Sequence, residues 1–323
     1  MAGMEDLIEK GRKGRGLERD DALALLNEVK PRSREMYLAM QAADQLSRRN
    51  FGNIGGVLAQ IGVNWDSCPA NCGFCAFSES GGLVKEPFRM SAKEVAEMAK
   101  QLRTEGATAL SIMTTASFPF EDFVEIGTAV RKAAGFTFPM IANIGDIDAR
   151  QAAALLEAGF TGIYHCIRLG EGKDTRLDPA KRASTMKVAK QAGLMVFSCV
   201  EPIGPEHGPE EVLDLTYAHL DLGVDALATM RRVPVPGTAL FDRGTITESE
   251  LVRMSAIIRL AAGSEILSFG NHETSALPLV SGANTLTAEV WSNPRKGELE
   301  MVAGATVKEC QKKLWEAGWS TLG

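Results

Sequence analysis

One glycine pattern constrains the fold of this chain more than any other feature. From about residue 90 onward, helix-like stretches end in turn at Gly106, Gly135, Gly159, Gly193, Gly223, Gly263, Gly282 and Gly318. A glycine just past the last helical turn takes the left-handed cap conformation at little cost. After most of these glycines comes a short apolar or β-branched run: TALSIM (108–113), PMIANI (139–144), TGIYHCI (161–167), LMVFSCV (194–200), VDALATM (224–230), EILSFG (265–270) and ANTLTAEV (283–290). VLAQIGV (57–63) is a further run of the same kind, nearer the start. Near-continuous apolar runs read as strands of a parallel sheet, buried on both faces.

Amphipathic segments lie between the runs. SAKEVAEMAKQLRTEG opens with Ser91 and Glu94 at capping-box spacing and sets Val95, Met98, Ala99 and Leu102 on one face. DARQAAALLEAG, PAKRASTMKVAKQAG, PEEVLDLTYAHLDLG, ESELVRMSAIIRLAAG and ATVKECQKKLWEAG repeat the pattern. Strand and helix alternating eight times predicts an α/β fold, and eight units can close a single (β/α)8 TIM-type barrel. A doubly wound open sheet is the rival, but such sheets carry a glycine-rich phosphate loop after the first strand. Here cysteines follow instead. The length of 323 residues allows two domains, yet one barrel routinely exceeds ~250. The expected organisation is a helical extension over 1–50, with helices at 18–28 and 32–48, and a barrel over 51–323.

Barrel active sites sit at the carboxyl ends of the strands. Directly after the first strand comes DSCPANCGFCAF, which spaces Cys68, Cys72 and Cys75 as C-x3-C-x2-C. Three thiolates in one tight loop can converge on a metal centre, and soft sulfur suits zinc or iron–sulfur. A closed site needs four ligands, and the next cysteine is Cys166. One reading is a zinc site completed by a distant residue. The favoured reading is a [4Fe–4S] cluster with one iron left open to a small molecule.

Composition narrows the partners. Lys and Arg total 35 against 41 Asp and Glu, a net charge of −6, which argues against nucleic acid because that partner needs a basic face. The opening MAGMEDLIEKGRKGRG lacks the apolar core of a secretory signal. No run approaches the ~18 apolar residues of a membrane span. The expectation is a cytoplasmic protein in a reducing compartment, where clustered cysteines are ligands or catalysts rather than disulfides.

The cysteine motif, with Phe74 before its third cysteine, resembles that of the radical S-adenosylmethionine superfamily. The likeness extends along the barrel, most closely to the biotin synthase-like branch, which includes an [FeFe]-hydrogenase maturase and methylornithine synthase. FPMIANIGDIDARQAAALLEAG, KRASTMKVAKQAGLMVFSCV, CVEPIGPEHGPEE and PVPGTAL carry it. The resemblance implies an oxygen-sensitive enzyme whose Cys68, Cys72 and Cys75 hold a [4Fe–4S] cluster. An electron from the cluster, supplied by a reductant such as flavodoxin or ferredoxin, would cleave S-adenosylmethionine to a 5′-deoxyadenosyl radical. That radical abstracts hydrogen from a small-molecule substrate in cofactor or amino-acid biosynthesis. Phe74, Thr115, Arg168, Glu171, Arg182 and Ile203 fall at the implied cofactor positions, with Arg182 facing the methionine carboxylate. Thr114 neighbours Thr115 at the end of the second strand.

Biotin synthase itself needs a second, sulfur-donating cluster. The strand alignment places Ile112, Ile141, Phe197 and Ile266 at those ligand positions, and none can bind iron. Cys166 and Cys199 leave open an auxiliary cluster of another kind, with His165, or plain packing. A sulfur-inserting synthase therefore stays as one alternative, and a non-catalytic iron–sulfur or zinc protein as another. Substrate-facing candidates at the last strand ends are Arg231, Arg232, Asn271, His272 and Glu289. An arginine pair suits a carboxylate or phosphate, and His272 suits acid–base work near neutral pH.

Overall fold

The computed structural model describes residues 3–135, 137–292 and 304–321. Eight parallel strands follow one another around a closed barrel: β1 (Ile54–Gly62), β2 (Ala109–Met113), β3 (Met140–Asn143), β4 (Gly162–Tyr164), β5 (Met195–Ile203), β6 (Ala226–Arg231), β7 (Ser268–Asn271) and β8 (Thr285–Val290). β8 pairs back onto β1 from Gly56↔Thr285 to Ile61↔Val290, so the sheet has no open side and the doubly wound rival falls away. Ser320–Thr321 adds a short pairing at the lower end of β1.

Eleven helices are described: α1 (Met4–Arg12), α2 (Arg19–Glu28), α3 (Arg34–Asn50), α4 (Ala92–Thr104), α5 (Phe120–Ala134), α6 (Ala149–Glu157), α7 (Pro179–Ala192), α8 (Pro209–Asp221), α9 (Glu248–Ala262), α10 (Ala276–Leu279) and α11 (Val307–Glu316). The Ser91–Glu94 capping box forms at the start of α4, with the Ser91 amide donating to Glu94 Oε2 at 2.7 Å. All eight pattern glycines have positive φ. Gly193 closes α7 in the left-handed conformation (φ 94°, ψ 9°), whereas Gly135 sits at φ 86°, ψ 162°. The latter is a region essentially closed to any side chain.

Burial divides into two cores. The larger one lies between sheet and helices and contains Ile61, Ile112, Ala142, Ile163 and Val196. A smaller one fills the barrel and contains Ile141, Tyr164, Cys166, Cys199 and Ala228, with Leu58, Phe197 and Met230 against it. The lateral register explains the split. Ser111 lies beside Ile141 and Ile141 beside Gly162, and the next residue on each strand turns outward. Two of the four strand-alignment positions are corrected here. Ile112 and Ile266 belong to the outer core, so they face the helices, while Ile141 and Phe197 face inward as expected.

The expected pair of N-terminal helices is present, and α1 is an addition before them. Its Leu7, Ile8 and Gly11 are buried, and a Cβ on Gly11 would stand 2.8 Å from Leu260 Cβ of α9. Tyr217 of α8 donates to Leu17 O at 2.6 Å. Ser47 of α3 donates to Gly282 O at 2.6 Å, beside the start of β8. Among the described residues no helix is long and apolar enough to cross a membrane.

Candidate active site

The cysteine loop leaves the top of β1 and is clamped at its base. Asn64–Trp65 pairs antiparallel with Phe88–Arg89. Asn64 donates to Thr115 Oγ1 at 2.8 Å and accepts from the Thr115 amide at 3.0 Å, tying the loop to the end of β2. Inside the loop the Cys68 amide donates to Phe77 O at 2.7 Å and the Cys75 amide to Cys72 O at 3.0 Å. Asn71 holds φ 50°, and its side-chain oxygen accepts from Ser78 Oγ at 2.9 Å and the Ser80 amide at 2.8 Å. Gly73 docks the loop on two neighbours. Its amide donates to Asp174 O and its carbonyl accepts from the Leu240 amide, both at 2.8 Å. Leu240 Cγ would lie 3.1 Å from a Cβ there, so the approach is close.

A cavity of about 480 Å³ opens at this end of the barrel, within the usual range for small-molecule sites. Cys68, Cys72, Phe74 and Cys75 form one wall, and Thr114, Thr115, Asn143 and Asp146 a second. Arg168, Arg182, Glu201, Arg231, His272 and Glu289 complete it. All six cysteines are free thiols. Burial pushes Cys72 up to about 12 and Cys75 up to about 11, with Arg168 pulling the other way. Near neutral pH, then, these thiols need a strongly positive centre to become thiolates, which a metal supplies. Among the described residues, only Cys199, Glu201 and His272 bring three such donors within 4.8 Å of one another. The three loop cysteines line one cavity, and a soft set of three sulfurs fits an iron–sulfur cluster.

The charged residues form one network. Arg168 Nε donates to Glu201 Oε1 at 3.2 Å. Tyr164 OH donates to Glu201 Oε2 at 3.0 Å, and the Cys166 thiol lies 3.4 Å from Oε1. Burial alone would raise Glu201, but Arg168, His272 and these donors hold its carboxyl below the usual range. Arg182 Nε donates to Cys166 O at 3.0 Å, and its guanidinium reaches Asp146 at 3.5 Å. His165 lies 3.1 Å from the same carboxylate. Burial, then Arg182, depresses His165 to about 3, so it is neutral.

Several expected positions lie elsewhere. Glu171 folds under its own turn, accepting from the Arg168 amide at 3.0 Å and Thr175 Oγ1 at 2.7 Å, and does not line the cavity. Ile203 is fully buried in the outer core. Of the arginine pair, Arg231 lines the cavity and pairs with Glu273 at 2.8 Å. Arg232 is buried beneath a loop, bound to Glu206 and Gly244 O. Asn271 lies beside Thr229 and Leu286 on the outward face. Cys166 and Cys199 lie inside the barrel. His165 is on the opposite face of the chain from both, and His272 is the imidazole that meets Cys199. Tyr164, Asp146 and Glu201 also belong to the charged network and carry no motif of their own. The two-residue period was the available signal, since Tyr164 precedes Cys166 and Glu201 follows Cys199 by two on the same inward face.

A closed parallel barrel with three cysteines and two arginines around one cavity at the carboxyl ends of its strands has the layout of an enzyme of the TIM-barrel class. Residues 65–238 match the Radical SAM superfamily, and the chain belongs to that superfamily. It is 28% identical over 300 residues to a biotin synthase of Pelotomaculum thermopropionicum, covering 87% of this chain and 90% of that one. A biotin synthase of Rippkaea orientalis is also 28% identical, covering 88% and 82%. The fold is shared with methylornithine synthase (TM-score 0.81, 18% identity, 98% and 97% covered). It is shared too with HydG, a maturase of the [FeFe]-hydrogenase (TM-score 0.81, 16% identity, 99% and 76% covered). The chain is thus a radical S-adenosylmethionine enzyme with biotin synthase-like relatives, and its family implies a [4Fe–4S] cluster and S-adenosylmethionine.

Proposed function

We propose that this enzyme reductively cleaves S-adenosylmethionine and uses the resulting 5′-deoxyadenosyl radical to abstract hydrogen from a small metabolite or amino acid. Cys68, Cys72 and Cys75 would hold the cluster, which supplies the cleaving electron when bound. The observation that carries the reading is the placement of three cysteines, Arg168 and Arg182 around one cavity. Arg182, fixed by Cys166 O and Asp146, presents cationic charge suited to the methionine carboxylate. Asp146 is held ionised and can accept from an ammonium, because His165 and Arg182 outweigh the effect of its burial. Phe74 and Thr115 line the same cavity. Glu171 acts on Arg168 as a positioning residue. The apolar barrel interior below excludes water from a reactive radical. Arg231, His272 and Glu289 are the substrate-facing groups.

Anaerobic reconstitution with iron, sulfide, dithionite and S-adenosylmethionine tests this. The expected product is 5′-deoxyadenosine, lost when any of Cys68, Cys72 or Cys75 becomes Ala. Absence of product from a protein carrying four irons would sink the reading. Sulfur insertion is disfavoured. Inside the barrel the described residues bring two thiols, Cys166 and Cys199, and Cys166 is bonded to Glu201, whereas a sulfur-donating cluster draws on more thiolate ligands.

A further inference from the structure

We propose that Cys199, Glu201 and His272 form a second metal site, holding one divalent ion of the zinc type on the cavity floor. Cys199 and Glu201 are two apart on β5 and share the inward face. His272 follows β7, reaching the same point from across β6. Level with Cys199 the neighbouring strands carry only Ala228 and Gly270, among the smallest side chains available, and Met230 follows on β6 one layer up. A Cβ on Gly270 would come within 3.3 Å of Ala228 Cβ. Small residues therefore leave room beside the Cys199 sulfur, below Glu201 and His272. One sulfur, one carboxylate oxygen and one imidazole nitrogen lie within 4.8 Å of one another. Metal bonds of about 2.0–2.3 Å at tetrahedral angles set donors roughly 3.3–3.8 Å apart. Rotamer adjustments of about an ångström close that gap.

Three further features point to an ion. The carboxylate is already oriented: Tyr164 OH donates to Oε2 at 3.0 Å, and Arg168 Nε to Oε1 at 3.2 Å. Such outer partners fix ligating carboxylates in metal sites. A divalent ion with one thiolate and one carboxylate balances its own charge, which suits donors packed beside Ile141, Phe197 and Met230 with the Arg168 cation alongside. The donor set is mixed and holds a single sulfur, whereas iron–sulfur clusters are held mainly by several thiolates. That selects a single ion of borderline softness over an auxiliary cluster. Cys166 stays outside the coordination and donates to Glu201. Glu201 and His272 line the cavity, so the fourth position faces it. That vacant position suits a lone-pair donor on the small molecule bound there.

The test uses the full chain with its iron–sulfur cluster reconstituted, titrated anaerobically with zinc chloride and desalted. Elemental analysis should find one zinc retained per chain with the iron content unchanged. Zinc X-ray absorption should show a single sulfur with nitrogen or oxygen neighbours. Cys199→Ala and His272→Ala should each abolish retention, and Tyr164→Phe should weaken it by about 10-fold or more. Cys199→Ser and His272→Gln, with circular dichroism melts, separate loss of the ion from loss of the fold. No retained zinc, a shell of three sulfurs, or retention unmoved in folded variants would overturn the proposal. S-adenosylmethionine cleavage is a separate readout, so failure of one leaves the other standing.

Discussion

His165 and His219 are two buried imidazoles whose protonation the fold opposes. Burial takes His165 to about 3 and His219 to about 4. His219 Nε2 accepts from the Ile167 amide at 3.3 Å, a role only the neutral ring fills. Both folded values lie below the ~6.5 of an unfolded histidine, so the unfolded chain takes up protons first. Stability is then complete above about pH 6.5 and declines as pH falls toward 4, by roughly 1.4 kcal/mol per unit for each histidine. Urea unfolding at pH 7, 6 and 5 should show that decline, and His165→Gln should flatten it by one proton. Arg182→Met removes a buried cation from Asp146 and from the cavity wall. It should raise KM for S-adenosylmethionine by at least ~10-fold while iron content holds, read from 5′-deoxyadenosine formation and iron assay. Not every residue was legible beforehand. Arg231 and Arg232 look equivalent in sequence, but β6 ends at Arg231, and the chain turns the second guanidinium under a loop toward Glu206. Asn271 and His272 differ the same way, one position deciding between outer core and cavity.

Elements were far easier to read than single side chains. Glycine caps and apolar runs located all eight strands, because cap geometry and burial on both faces are local and strongly patterned. The first helix, MEDLIEKGR, stayed hidden because its short apolar face gains meaning only against α9, which is distant in sequence. The cysteine loop announced its ligands but not its scaffold. Asn71 carries much of that scaffold through its left-handed backbone and two accepted hydrogen bonds. Asn71→Ala loses both bonds at about 1 kcal/mol each and replaces a residue that tolerates the left-handed region with one that tolerates it less. Iron release to a chelator should accelerate by about 10-fold or more, with the global urea midpoint nearly unchanged. An unchanged release rate would show that docking through Gly73 alone suffices.

The whole molecule is joined at its lower end by Arg259, which is fully buried on α9. Its Nε donates to Ser47 Oγ at 2.6 Å, and its guanidinium lies 5.2 Å from the Phe51 ring. Ser47 in turn reaches Gly282 O, so one cation ties the N-terminal helices to the approach of β8. Arg259→Ala should cost about 2–4 kcal/mol, measured by urea unfolding, and the activity of the folded fraction should persist. At the upper end, Trp65, Phe88 and Trp291 cluster with centroids 4.7–5.4 Å apart, Phe88 stacked on Trp291 and Trp65 tilted against both. Trp65 Nε1 also donates to Trp291 O at 2.8 Å. Gly62 permits this contact, since a Cβ there would fall 2.1 Å from Trp291 O. The wall beneath the cysteine loop is thus finished by residues more than two hundred positions later in the chain. During synthesis the cysteines emerge long before their support exists. A cluster held by this loop, as proposed above, would gain its full support only once the ring has closed through Trp291.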